Sequence, residues 1–122
     1  MLTRRIVIIE DELEVAESLK EYFESHGFEA AAASTGEKGL ELIVSHKPHL
    51  VILDLRLGSG LSGLEVLRRA KAAKSDAEII VVSAVNDLNV ADMARGLGAS
   101  GYLTKPFVIE ELERLVVSQL KD

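Results

Sequence analysis

The 122-residue chain is 48% apolar and carries 14 Lys and Arg against 20 Asp and Glu, a formal net charge of −6. This is enough apolar material for one domain with a real core, and too acidic a balance for broad contact with a phosphate backbone. There is no cysteine, which excludes disulfides, thiolate metal sites and cysteine nucleophiles. No stretch approaches a membrane span or a signal peptide's hydrophobic region, so a cytoplasmic protein with no membrane partner is expected.

In chain order, Ile6-Val7-Ile8-Ile9 predicts a first strand, followed at once by Glu10-Asp11-Glu12. Residues 12–26 place Val15, Leu19, Tyr22 and Phe23 on one helical stripe, with Gly27 as the C-terminal cap. Phe28-Glu29 and the alanines to Ala33 read as a strand only through their place in the alternation, because alanine prefers helix; an edge position is expected. Ser34-Thr35-Gly36-Glu37 has capping-box spacing ahead of a helix with Leu40, Ile43 and Val44.

The run Leu50-Val51-Ile52-Leu53 predicts a third strand closed by Asp54. Ser62 can cap a helix carrying Leu64 and Leu67. Ile79-Ile80-Val81-Val82 leads to Ser83, and Asn86 or Asp87 starts a fourth helix with a weakly apolar stripe of Leu88, Ala91, Ala94 and Leu97. Gly101-Tyr102-Leu103 runs into Lys105-Pro106. A last helix, about 108–120, presents Leu112, Leu115, Val116 and Leu120. The basic stretch Arg68, Arg69, Lys71 and Lys74 reads as a solvated helix face. His26, His46 and His49 lack ligand spacing and are expected to bind no metal.

Continuous rather than alternating runs of Ile, Val and Leu suit strands covered on both faces. Strands alternating with helices therefore imply an α/β fold, a parallel sheet between two helical layers joined by right-handed crossovers. In such sheets ligands collect beyond the carboxyl ends of the strands. Glu10, Asp11, Asp54, Ser83 and Lys105 all fall at such ends, so one shared site is expected there.

A carboxylate closing a buried strand is poor core material, because desolvating it costs several kcal/mol unless a partner compensates. Three carboxylates together repel one another unless a cation joins them. Oxygen ligands with room for water suit Mg²⁺. With an ammonium from Lys105 and a hydroxyl from Ser83, the set suits phosphoryl transfer, Asp54 being the acceptor.

The pattern Ile9-Glu10-Asp11-Glu12, Leu53-Asp54, Val82-Ser83-Ala84 and Lys105-Pro106-Phe107 resembles the receiver domain of two-component response regulators, in order and approximate spacing across essentially the whole chain. The resemblance implies a single domain over residues 1–122, a flavodoxin-like (βα)5 sheet of order 2-1-3-4-5, and Mg²⁺ as cofactor. It makes Asp54 the phosphoacceptor, Asp11 a direct metal ligand, Glu10 a nearby or water-mediated one, and the Arg56 backbone carbonyl a third protein ligand. Ser83 would hydrogen-bond the phosphoryl group, Lys105 would pair with it across a cis peptide to Pro106, and Tyr102 would be the aromatic switch. The implied partners are a sensor histidine kinase or phosphotransfer protein and an output domain or downstream protein. They are read through the fourth helix, fifth strand and fifth helix, a surface that can also serve a homodimer. The domain itself would bind no nucleic acid and would catalyse only its own phosphorylation and dephosphorylation.

Two departures from the family pattern stand out. The loop Arg56-Leu57-Gly58-Ser59-Gly60-Leu61-Ser62-Gly63 lacks the usual proline, is one residue longer than the commonest form, and with three glycines is expected to be mobile. Ser83 replaces the commoner threonine, keeping the hydroxyl and dropping a methyl. Three other readings compete. An Mg²⁺-dependent aspartyl phosphohydrolase wants an acid where Arg56 stands. A flavodoxin-like cofactor binder wants Ser, Thr and Gly donors where Glu10-Asp11-Glu12 stands. A receiver-like interaction module that is never phosphorylated has no need of all four motifs.

Overall fold

The computed structural model describes residues 3–58, 60–84 and 88–120. Among them strand and helix alternate five times: β1 (Arg5–Ile9), α1 (Leu13–Ser25), β2 (Glu29–Ala33), α2 (Gly36–His46), β3 (Leu50–Asp54), α3 (Gly63–Ala72), β4 (Glu78–Ala84), α4 (Leu88–Gly96), β5 (Gly101–Lys105) and α5 (Ile109–Gln119). Every strand pairing is parallel, and the sheet order is β2-β1-β3-β4-β5. This is the five-stranded, flavodoxin-like arrangement expected from the sequence, with the alanine strand β2 at an edge.

Successive residues of a strand point to opposite faces, and here both faces are covered. Val7, Ile9, Val51, Leu53, Ile79 and Val81 pack with Ile43 of α2, Val66, Leu67 and Ala70 of α3, and Ala94 of α4. Ile6, Ile8, Leu50, Ile52, Ile80 and Val82 pack the other way, onto Leu19 and Phe23 of α1 and Leu112 and Val116 of α5. The continuous apolar runs follow from this double coverage, since every position of a central strand is an inside position.

Helix ends carry most of the differences from expectation. Thr35, not Ser34, caps α2 by accepting the Lys38 N–H at 3.2 Å. Glu37 leaves the cap to accept the Leu61 N–H at 3.3 Å, because the loop before α3 brings that donor to the first turn of α2. Val44 is 68% exposed, and the buried face of α2 is Gly36, Gly39 and Ile43. A Cβ on Gly39 would lie 2.4 Å from Ile9 Cδ1, so this helix rests on β1 through a glycine. Ser62 caps α3 as expected, accepting the Glu65 N–H at 3.1 Å. Arg68 and Arg69 pair with Glu65 on the exposed face of that helix. Asn86 and Asp87 lie outside the described residues, as does the side chain of Leu88, while Ala91 and Ala94 of α4 are buried.

Candidate functional site

The strand order reverses between β1 and β3, with β2 on one side of the pair and β4 and β5 on the other. Ligand crevices form beyond the carboxyl ends of strands at such a point. Asp54 is the last residue of β3 and Lys105 the last of β5. Glu10 follows β1 directly, its N–H donating to Ala33 O at 3.0 Å and so extending the ladder by one residue. Ser83 lies in β4 opposite Thr104, next to the Ala84–Lys105 pair. The sheet thus fixes these positions through backbone pairing alone.

Glu10 and Asp54 are the buried charged residues among those described, at 3% and 4% exposure. Lys105 spans them, its Nζ donating to Glu10 Oε1 at 3.1 Å and to Asp54 Oδ2 at 2.8 Å. Their other oxygens accept backbone N–H groups, Asp54 Oδ1 from Arg56 at 2.8 Å and Glu10 Oε2 from Glu12 at 3.1 Å. Burial, reinforced by the neighbouring Asp54 and opposed by the Glu12 N–H and Lys105, pushes the Glu10 carboxyl up to about 7. Burial pulls the Lys105 ammonium down, but its bonds to Asp54 and Glu10 outweigh this, and its pKa is raised.

Asp11 is exposed at the mouth of the crevice, and one carboxylate oxygen from each of Glu10, Asp11 and Asp54 lies within 4.8 Å of the others. One ammonium against three carboxylates leaves an excess of negative charge among hard oxygen donors. That donor set fits a hard divalent cation such as Mg²⁺.

The remaining expected residues lie on or beside the same strands. Ser83 is half-buried, and Tyr102 is half-buried against the core beneath α2, α3 and α4. Lys105–Pro106 is a cis peptide. Arg56 is exposed, and its described contact with the site is the N–H on Asp54.

Sequence reasoning treated the glycines after Asp54 only as a source of mobility and missed what they touch. A Cβ on Gly63 would lie 2.5 Å from Leu55 Cα and 2.7 Å from Asp54 O. The start of α3 is therefore pressed against the backbone that carries the acceptor. A Cβ on Gly58 would come within 3.2 Å of Asp11 Oδ2, crowding the third carboxylate. Gly60 takes φ +74°, and a Cβ there would sit 2.6 Å from Glu37 Oε2. No periodicity marks these three, because each contact joins parts of the chain that meet only in the folded molecule.

A family model described as "Response regulator receiver domain" matches residues 6–117. The chain belongs to the response regulator receiver domain family. Its relatives among curated proteins include sporulation initiation phosphotransferase F of Bacillus subtilis (strain 168), 29% identical over 98% of this chain and 96% of that protein. Response regulator MprA of Mycolicibacterium vanbaalenii is 35% identical over 88% of this chain and 46% of its own length. The receiver domain therefore spans nearly all of the first relative and about half of the second. Among solved structures, a response regulator receiver domain protein from Clostridium thermocellum superposes with TM-score 0.88 at 28% identity, covering 96% and 94% of the two chains. A CheY-like receiver domain protein from Methanospirillum hungatei JF-1 gives 0.86 at 26%, covering 98% of each.

Proposed function

We propose that this receiver domain, read as a single domain over residues 1–122, accepts a phosphoryl group on Asp54 in the presence of Mg²⁺. The donor would be a histidine kinase or phosphotransfer protein. The observation that supports it most is the buried Asp54 carboxylate, held through Oδ1 by the Arg56 N–H and paired through Oδ2 with Lys105, with Asp11 and Glu10 beside it.

In this reading Asp54 Oδ2 attacks the phosphorus of the donor's phosphohistidine. The new O–P bond forms as the P–N bond breaks, and the departing imidazole takes up a proton. Mg²⁺, when bound, supplies positive charge that lets an anionic carboxylate approach an anionic phosphoryl group. Asp54 and Asp11 would hold it directly, Glu10 through water, and the Arg56 backbone carbonyl would complete the protein ligands. Lys105 is already on Oδ2, so its ammonium can follow that oxygen's new phosphoryl group. Ser83 would donate its hydroxyl to the phosphoryl group as Tyr102 turns inward, and α4, β5 and α5 would carry the change. Met93 on α4 and Val117 on α5 are 52% and 54% exposed and belong to that readout surface, which would serve an output domain, a downstream protein or a second copy.

The Bacillus relative, named a phosphotransferase and matched over 96% of its length, supports a relay role. Response regulator MprA, about twice as long, supports the alternative in which such a domain works beside an output domain. Hydrolysis of a metabolite is the weaker reading, since the residue two after Asp54 is Arg56, which presents a backbone N–H rather than an acid.

Incubation with Mg²⁺ and a small acyl phosphate, read by intact mass, tests the proposal. The expected result is one phosphoryl adduct, labile to hydroxylamine and absent without Mg²⁺ or in Asp54→Asn. An adduct that survives Asp54→Asn, or none in the wild type, contradicts it.

A further inference from the structure

At the amino ends of the strands, across the molecule from Asp54, a cleft of about 680 Å³ opens between the C-terminal ends of α2, α3 and α5. Arg4, Arg5, Lys47 and Lys74 line it against Asp76 and Glu78, four cations to two carboxylates in a chain of net charge −6. Helix C-termini attract cations, and this accounts for Arg5, whose Nε donates to His46 O and Nη2 to Lys47 O, both at 2.9 Å. Lys47 and Lys74 also stand at such ends, but among the described residues their side chains bond no helix carbonyl. Both are exposed, and neither ammonium has a hydrogen bond or ion pair among the described residues.

Both lysines also hold left-handed backbone, φ 47° and 60°, the only non-glycine residues described with positive φ. Three helices end alike, in paired backbone bonds that need a left-handed residue. After α1 these are Gly27 N–H to Glu24 O and Phe28 N–H to Phe23 O. After α4 they are Gly98 N–H to Arg95 O and Ala99 N–H to Ala94 O. After α3 they are Lys74 N–H to Lys71 O and Ser75 N–H to Ala70 O. Glycine fills the position at α1 and α4, where it fits without strain, and lysine fills it at α3. Left-handed lysine ends α2 as well. Backbone strain retained at two places on one cleft points to what those side chains do there.

We propose that this cleft binds a small organic phosphate, its phosphate held by Lys47 and Lys74 and its organic part on the apolar wall of Val44 and Leu120. The volume lies within the roughly 300–1,000 Å³ of small-molecule sites. His49 adds a neutral donor, because its Nδ1 accepts the Arg5 N–H at 2.9 Å and the ring hydrogen must then sit on Nε2. Burial, then Arg5 and Arg4, lower its pKa and keep it in that form. An acidic peptide fits less well, since the cleft sits at strand ends and offers no open edge for a strand to join.

The test is an ¹⁵N–¹H chemical-shift titration of the whole chain with adenosine monophosphate, with chelator present so that the Asp54 site plays no part. Saturable shifts are expected at the amides of 43–49, 73–78 and 119–120, with Kd near about 1 mM. The double variant Lys47→Gly/Lys74→Gly keeps the fold, because glycine relieves both strained positions. It should bind at least about tenfold more weakly, as should inorganic phosphate with the wild type. Asp54→Asn should bind as the wild type does, which separates this proposal from the phosphoacceptor reading. No saturable shift, an unaffected glycine variant, equal binding of inorganic phosphate, or tighter binding of a glutamate-rich peptide overturns it.

Discussion

At the carboxyl end of the sheet, Glu10 and Asp54 are almost wholly buried and share the ammonium of Lys105. At the amino end, Lys47 and Lys74 face water, and neither makes an ion pair among the described residues. Polar interactions are worth most where water is excluded, so the first set bears directly on folding and, under the proposed function, on metal binding. The second set is screened, and only its backbone geometry bears on stability. The carboxyl end thus holds two buried carboxylates on one ammonium, whereas the amino end carries small strain at two surface points.

The largest test of this contrast removes the shared cation. Lys105→Met leaves two carboxylates buried without an ammonium, and should lose about 2–4 kcal/mol in urea melts at pH 8 with chelator. Saturating Mg²⁺ should recover much of it, because the metal replaces the missing charge. A loss unchanged by Mg²⁺ would show that Lys105 acts by packing instead. Gly63→Ala should cost about 2–3 kcal/mol, since its Cβ meets the Asp54–Leu55 backbone and not a movable side-chain end. It should also slow acyl-phosphate labelling, while an ordinary melt and normal labelling would show that α3 can shift freely.

Titration sharpens the same contrast. The Glu10 carboxyl is raised in the folded chain from 4.5 to about 7. The folded form therefore holds a proton the unfolded form has lost, and this contribution is full below about pH 4.5 and disappears as the pH rises through 7. With chelator present, Glu10→Gln should gain on the wild type across that window, by at most about 3 kcal/mol. A stability difference that is flat with pH from 4 to 8 would contradict the burial of an ionised Glu10. At the other end, Lys74→Gly should raise stability by about 0.5–1 kcal/mol, measurable as a higher midpoint with unchanged m-value.

Much of this could be read from the chain before folding, for a physical reason. Ile6–Ile9, Leu50–Leu53 and Ile79–Val82 are buried on both faces, so composition alone marks them as strands. Glu10 and Asp54, which close the first two, then meet Lys105 at the end of β5 because parallel strands end together. Where the reading failed, the deciding contact joined distant segments. Glu37 left the capping box for Leu61, Val44 faced water because Gly39 takes the place against Ile9, and Gly63 owes its identity to the Asp54 carbonyl. The amino-end cleft gave no signal, since Lys74 looks like any basic residue on a solvated helix until its φ and those of Gly27 and Gly98 are set side by side.

The central claim is that the buried carboxylate of Asp54 is the group that carries the phosphoryl bond. Borohydride converts an acyl phosphate to the corresponding alcohol, turning a phosphorylated aspartate into homoserine that peptide mass mapping can place. After labelling with acyl phosphate and Mg²⁺, the account predicts homoserine at position 54 and at no other carboxylate. Homoserine at position 11, or none in protein that carries the adduct, would contradict it.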